Sequence, residues 1–228
     1  MIKNISGILN SKDYIHRKLS ESKIKKLEEE GYLLIEPNQD CLNWIGCSIE
    51  NLRNTVDKIK KKEGKDAGSE GKEEILRKNK QTIEPGAERI GNLVNKSIFM
   101  RKIATLPEIV WGSFLIIKDE IKLSSVLFRE PKKNSGDQQI HIDWIPGESK
   151  LKNYNSVVAF LYLNDSTVEN GATKVIPGTH KMFSYPDKYI NPKQPHEKEI
   201  FITAKAGSIL IMNSLLWHKG GNNFSGEK

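Results

Sequence analysis

The chain has 228 residues and a mass of 25.9 kDa, enough for one domain with a substantial core and a small helical annex. Its 37% hydrophobic and 29% charged residues match a soluble protein, and no apolar run approaches the roughly 20 residues that a membrane span needs. The net charge of +7 is mostly lysine, without the aromatic–basic interleaving of an RNA-binding sheet or a helix-turn-helix pattern, which argues against a nucleic-acid partner.

The opening MIKNISGILNSKDYIHRKLS has no apolar stretch ending in a small-residue cleavage site, so the expected location is cytoplasmic. A helix is predicted from Ser20 to Glu30, with half a capping box at Ser20 and Gly31 closing it. The run Tyr32 to Ile35 reads as a short buried strand. Cys41 and Cys47, in CLNWIGC, fit neither a CxxC redox pair nor half a zinc site and read as reduced thiols. Leu52, Val56 and Ile59 recur at helical spacing between Glu50 and Lys62. From Lys60 to Ala87 the chain is Lys, Glu and Gly with almost no apolar content, which predicts a mobile insertion or lid.

A further helix is expected from Ile90 to Ile103, stopped near Pro107. Residues 1–110 then form a helical annex to a β-rich core over 111–228. Its predicted strands are Phe114–Ile117, Ile121–Phe128, Gln139–Asp143, Val157–Leu163, Ala172–Ile176, Glu199–Ile202 and Ser208–Met212, separated by Gly, Pro, Asn and Asp turns. Short strands without a 20–50-residue repeat point to a mainly β fold with N-terminal helices, best a double-stranded β-helix, the cupin-like jelly roll.

In QQIHIDW, His141 and Asp143 are two apart on a predicted strand, so both side chains leave one face while Ile140 and Ile142 leave the other. His218, in LIMNSLLWHKGGNN, follows another strand that a jelly roll can bring beside them. Two histidines and a carboxylate on one side of Fe(II) leave open positions for an oxoacid and dioxygen. His-x-Asp also arises by chance, so the spacing alone leaves metal binding open. His16 and His196 lie in polar segments and read as solvated, whereas His180, in IPGTHK, reads as a structural hydrogen bond in a tight loop.

The segments LSESKIKKLEEEGYLLI, TLPEIV, QQIHIDW, FLYLNDSTVENGATKVIPGTHK and AGSILIMNSLLWHKGGNNFSGEK resemble the phytanoyl-CoA dioxygenase family, from about Leu19 to the last residue. The resemblance implies that His141, Asp143 and His218 are the catalytic iron ligands, with Fe(II), 2-oxoglutarate and O2 as cofactor and co-substrates. In the family an arginine about eleven residues beyond the distal histidine anchors 2-oxoglutarate. That position is 229, one past Lys228, so the anchor and the final strand are expected beyond the sequence in hand.

Other co-substrate contacts follow from the same resemblance. Arg89 lies near where relatives carry a basic residue, and Phe160 stands where many carry a tryptophan, keeping an apolar wall without its N–H. Gln138, or Gln139 beside it, can hydrogen-bond a carboxylate. Arg129, in LFREP, reaches the pocket or else pairs at the surface with Glu130 or Asp137. Trp144 lines the substrate pocket or is buried in the core.

The implied reaction is oxidative decarboxylation of 2-oxoglutarate to succinate and CO2, coupled to hydroxylation of an unactivated C–H bond. Asp143 argues against halogenation, for which relatives replace the carboxylate by Gly or Ala. The expected substrate is a small metabolite or natural-product intermediate, with carrier- or CoA-linked forms open. A non-catalytic small-molecule or metal-binding module on the same fold is the alternative. A zinc-type hydrolase ranks last because no H-E-x-x-H general base is present.

Overall fold

The computed structural model describes residues 4–63, 86–144 and 154–226. After two short helices, α1 (Ile5–Leu9) and α2 (Lys12–Ile15), comes α3 (Glu21–Glu30), ended by Gly31 in the left-handed region at φ +84°. Ser20 makes no side-chain cap there; its hydroxyl meets that of Ser22 at 3.1 Å. β1 (Tyr32–Ile35) follows, then α4 (Gln39–Ile45), which the sequence reading missed. Its signals are the Asn38 side chain accepting from Cys41 N at 2.9 Å and Gly46 at φ +82°. α5 (Ile49–Glu63) buries the expected Leu52, Val56 and Ile59 stripe.

The predicted insertion begins too early. Residues 60–63 belong to α5, with Lys60 largely buried, and Ala87 already belongs to β2 (Ala87–Ile90); residues 64–85 lie outside the described residues. The expected helix from Ile90 to Ile103 divides likewise. Asn92 takes a left-handed conformation at φ +56°, and only α6 (Ile98–Ala104) is α-helical, started by the Ser97 hydroxyl accepting from Phe99 N.

Phe114–Ile117 is not a strand but the last turn of α7 (Pro107–Ile117). Proline at the first helical position starts α7, and a helix apolar all round has no polar stripe to distinguish it from a buried strand. The 110/111 boundary therefore falls inside this helix. Arg17 ties α7 to the N-terminal segment through a largely buried ion pair, its Nε 3.0 Å from Glu108 Oε1. Ile121–Phe128 is irregular up to Phe128, where β3 (Phe128–Pro131) begins; Leu123 and Leu127 stay exposed.

The centre of the molecule is β7 (Ile209–Asn213), buried along its whole length between β1 and β4 (Val157–Leu161) in an antiparallel sheet. Tyr32 pairs with Met212 and Ile35 with Ile209 on one side; Val157 pairs with Asn213 and Leu161 with Ile209 on the other. Ile209 and Ile211 face the helices, joining Leu33, Ile35, Leu106 and Trp111 in the larger core. Gly112 of α7 makes the close approach possible, since a Cβ there would lie 2.7 Å from Ile211 Cδ1.

Leu210 and Met212 face the other way, into a second cluster with Tyr32, Val175, Ile202 and Leu216. Across that cluster lies the second sheet, in which β5 (Lys174–Val175) is flanked by β6 (Ile200–Phe201) and β8 (His218–Lys219). Two facing antiparallel sheets with helices packed outside one of them make the expected jelly roll. Each fully buried Leu or Ile contributes about 1.5–3 kcal/mol relative to exposure. β2 and β3 form a separate two-stranded ribbon.

Candidate metal centre

The predicted strand Gln139–Asp143 is reduced to one bridge. His141 N donates to His218 O at 2.9 Å, His218 N donates back to His141 O at 3.0 Å, and Asp143 N then leaves the ladder for Ser214 O at 2.9 Å. His218, buried, is the cross-strand neighbour of Val175, which places it on the inner side of the roll.

The backbone also fixes both imidazoles. His141 Nδ1 lies 2.9 Å from Gln139 O and His218 Nδ1 2.8 Å from Leu216 O. A carbonyl can only accept, so each Nδ1 carries a proton and donates it, and each Nε2 presents its lone pair inward. There the two Nε2 atoms meet Asp143, His141 Nε2 at 3.5 Å from Oδ1 and His218 Nε2 at 3.2 Å from Oδ2. One ligand atom from each of the three residues lies within 4.8 Å of the others.

Three electron-pair donors so close together repel one another unless a cation lies between them. A shared proton or a metal ion relieves that repulsion. Burial opposes charge on His141, yet the hydrogen bond and charge of Asp143 outweigh it and raise its pKa. Burial likewise opposes ionisation of Asp143, and hydrogen bonds from the two histidines outweigh it, holding the carboxyl well below the ordinary range. A divalent ion with mixed nitrogen and oxygen preference fits the same set, and 33% exposure of the Asp143 side chain leaves one side open.

Two arginines stand beside this cluster. Arg89 of β2 and Arg129 of β3 are directly opposite in the ribbon, so their side chains leave the same face. Burial lowers the pKa of both; Arg129 lowers that of Arg89 further while Asp143 raises it, and the charge of Arg129 is felt by His141. Arg129 Nη2 donates to Gly136 O at 3.1 Å. The surface partners considered for Arg129 are engaged elsewhere, Glu130 by Lys60 and Asp137 by Lys219 at 3.4 Å.

Gln138 holds the same corner. Its Oε1 accepts from Gly220 N at 2.7 Å, two residues beyond His218, whereas Gln139 is exposed. A Cβ at Gly220 would lie 2.9 Å from both Arg129 Nη2 and Gln138 Oε1, so a side chain there would displace the ends of both.

A model of the family described as phytanoyl-CoA dioxygenase (PhyH) matches residues 27–228. The chain belongs to the phytanoyl-CoA dioxygenase family. An uncharacterized protein of Mycobacterium tuberculosis is 32% identical over 78 residues, 34% of this chain and 27% of that protein, so the match spans about a quarter of the relative's length. Among solved structures, the non-heme alpha-ketoglutarate-dependent carbocyclase SnoK from nogalamycin biosynthesis superposes with a TM-score of 0.66 at 16% identity, over 92% of this chain and 81% of that one. HygX from Streptomyces hygroscopicus, with nickel and 2-oxoglutarate bound, superposes with a TM-score of 0.65 at 14% identity, over 92% of this chain and 83% of that one. At these identities the likeness is one of fold.

In this phytanoyl-CoA dioxygenase family member, Phe160 points from β4 into the inner cluster, 6.4 Å from the ring of Tyr162. Tyr162 escaped the sequence reading although the two-residue period of a strand puts it on the same face as Phe160; burial pushes its phenol up to about 12. Trp144 is 50% exposed, which removes core burial as its explanation. His180 is buried away from the triad, and its Nε2 donates to Glu28 O at 3.2 Å. Cys41 and Cys47 are free thiols, and burial together with Glu108 pushes Cys41 up to about 11. No helix among the described residues is long and apolar enough to cross a membrane.

Proposed function

We propose that the protein is an Fe(II)- and 2-oxoglutarate-dependent dioxygenase that hydroxylates an unactivated C–H bond of a small metabolite or natural-product intermediate, free or linked to a carrier or CoA. The observation that carries this reading is the convergence of His141, Asp143 and His218 with both Nδ1 atoms committed to the backbone. When bound, Fe(II) supplies activation of O2 coupled to decarboxylation of 2-oxoglutarate to succinate and CO2.

The chain's own residues then do the rest. His141, Asp143 and His218 would hold the ion from one side and leave the other to ligands. Arg89 and Arg129 bind the carboxylate of the co-substrate, a charge-assisted contact of about 1.5–3 kcal/mol. Gln138 keeps Gly220 against Arg129 and so fixes the guanidinium. Phe160 walls the oxoacid from the inner cluster and excludes water there. Trp144, with half its surface open, offers an apolar face to the substrate. Asp143 in the carboxylate position supports hydroxylation over halogenation. Free thiols at Cys41 and Cys47 support a reducing, cytoplasmic setting, and the protein acts as one domain.

The test is anaerobic titration of the Fe(II)-loaded full chain with 2-oxoglutarate, following the visible charge-transfer band of a chelated oxoacid, then admission of O2 and assay of succinate. A band followed by succinate is expected. Bound Fe(II) without a band would mean a non-catalytic binding module instead.

A further inference from the structure

The β2–β3 ribbon carries charge in an unusual pattern. Its register sets Glu88 opposite Glu130 and Arg89 opposite Arg129, so each face bears a pair of like charges directly across from each other. Like charges in that relation destabilise a ribbon, and a slip of one residue would put Arg89 beside Glu130. The register is therefore fixed by what lies on either side of the ribbon.

On the glutamate side lies Lys60, three residues from the end of α5. Its ammonium is 3.0 Å from Glu88 Oε2, hydrogen-bonds Glu130 Oε2, and sits 4.8 Å from the centre of the Phe128 ring, which shares that face. The three charged side chains are each only 10–12% exposed. Burial disfavours the ammonium, but the two carboxylates outweigh it and raise the Lys60 pKa. A second brace, Lys96 Nζ to Glu63 Oε2 at 2.6 Å, holds the same end of α5.

We propose that Lys60 is a positioning residue for co-substrate binding: it neutralises Glu88 and Glu130 on one face of the ribbon and thereby keeps Arg89 and Arg129 side by side on the other, toward the His141–Asp143–His218 cluster. The proposal rests on the oxygenase reading, in which the arginine pair receives the carboxylate of 2-oxoglutarate. Without Lys60 the two carboxylates lose the ammonium they share, the ribbon splays or slips, and the guanidinium pair loses its spacing. The metal ligands stand on other segments and are untouched.

Calorimetric titration of 2-oxoglutarate into Ni(II)-loaded protein reads this without turnover. Lys60→Met should weaken 2-oxoglutarate binding about tenfold, as loss of a supporting outer contact does, while Ni(II) affinity stays within about twofold. Removing the repulsion as well, in Lys60→Met/Glu88→Gln/Glu130→Gln, should restore binding to within about threefold, a rescue that a merely structural lysine would not give. Should Lys60→Met fail to fold, Lys60→Gln, which removes the charge and keeps a hydrogen-bond donor, carries the test, with a weakening of about threefold expected. Wild-type affinity in folded Lys60→Met, or in Lys60→Gln where that variant stands in, overturns the proposal. Absence of 2-oxoglutarate binding by the wild-type protein overturns the oxygenase reading and this proposal with it.

Discussion

His141 and His218 hold each other through two backbone hydrogen bonds, N to O at 2.9 and 3.0 Å, so the two imidazoles ride on one narrow bridge with ring centres 4.4 Å apart. That bridge needs no side chain. Replacing an imidazole or the carboxylate should therefore remove metal binding and leave the fold. His141→Ala and Asp143→Ala are each expected to weaken Fe(II) affinity by about 100-fold or more, with far-ultraviolet circular dichroism unchanged. Wild-type iron affinity in both variants would sink the ligand assignment.

Arg129 and Arg89 share one face of their ribbon, and in the proposed function both meet one carboxylate of 2-oxoglutarate. Arg129→Gln should cost about 1.5–3 kcal/mol of 2-oxoglutarate affinity, and Arg89→Gln a similar amount. The double variant should lose less than the sum, because the two act on one ligand. Strict additivity in the titration would place them at separate sites.

Gly112 lets α7 lie against Ile211, a fully buried residue of the central strand. Alanine would favour the helix by up to about 1 kcal/mol, but its Cβ must push Ile211 into a filled core at a cost of about 1–3 kcal/mol. Gly112→Ala is expected to lower stability by about 1 kcal/mol in denaturant unfolding. A variant more stable than wild type would show that the helix can lift away freely.

His180 is buried, and its pKa is lowered by burial, with the hydrogen bond to Glu28 O acting the other way. The native state thus binds this proton less readily than the unfolded chain does. Stability is fully present above the unfolded value of 6.5 and falls as pH drops from there toward the lowered native value. Melting temperatures at pH 7.5 and 5.5 should show a larger acid-side drop for wild type than for His180→Gln. An equal drop in both would assign the acid sensitivity to other groups.

The triad was legible in the sequence for a reason that proved only half right. His141 and Asp143 do converge, but through one bridge and a turn toward Ser214, not through a strand. The carbonyls that orient the imidazoles belong to Gln139 and Leu216, whose side chains carry no signal of that duty. The facing of Arg89 and Arg129 was out of reach because cross-strand register depends on both strands at once. Lys60 was hidden in a charged run that reads as solvated; its partner Glu130 is 70 positions away. The end of α7 was misread as a strand because Phe114–Ile117 is apolar in either period.

Among the described residues β1 has one strand partner, and that partner is β7. During synthesis the Tyr-Leu-Leu-Ile segment therefore emerges early and stays an open, sticky edge until residues 209–213 have left the ribosome, a long wait for a contact between distant parts of the chain. Chaperone protection should be needed most over that interval. Asp143 hangs on Ser214, the residue after β7, so the ligand cluster closes in the same late step. The three ligand atoms can therefore meet a metal ion together only once that step has brought them within 4.8 Å of one another.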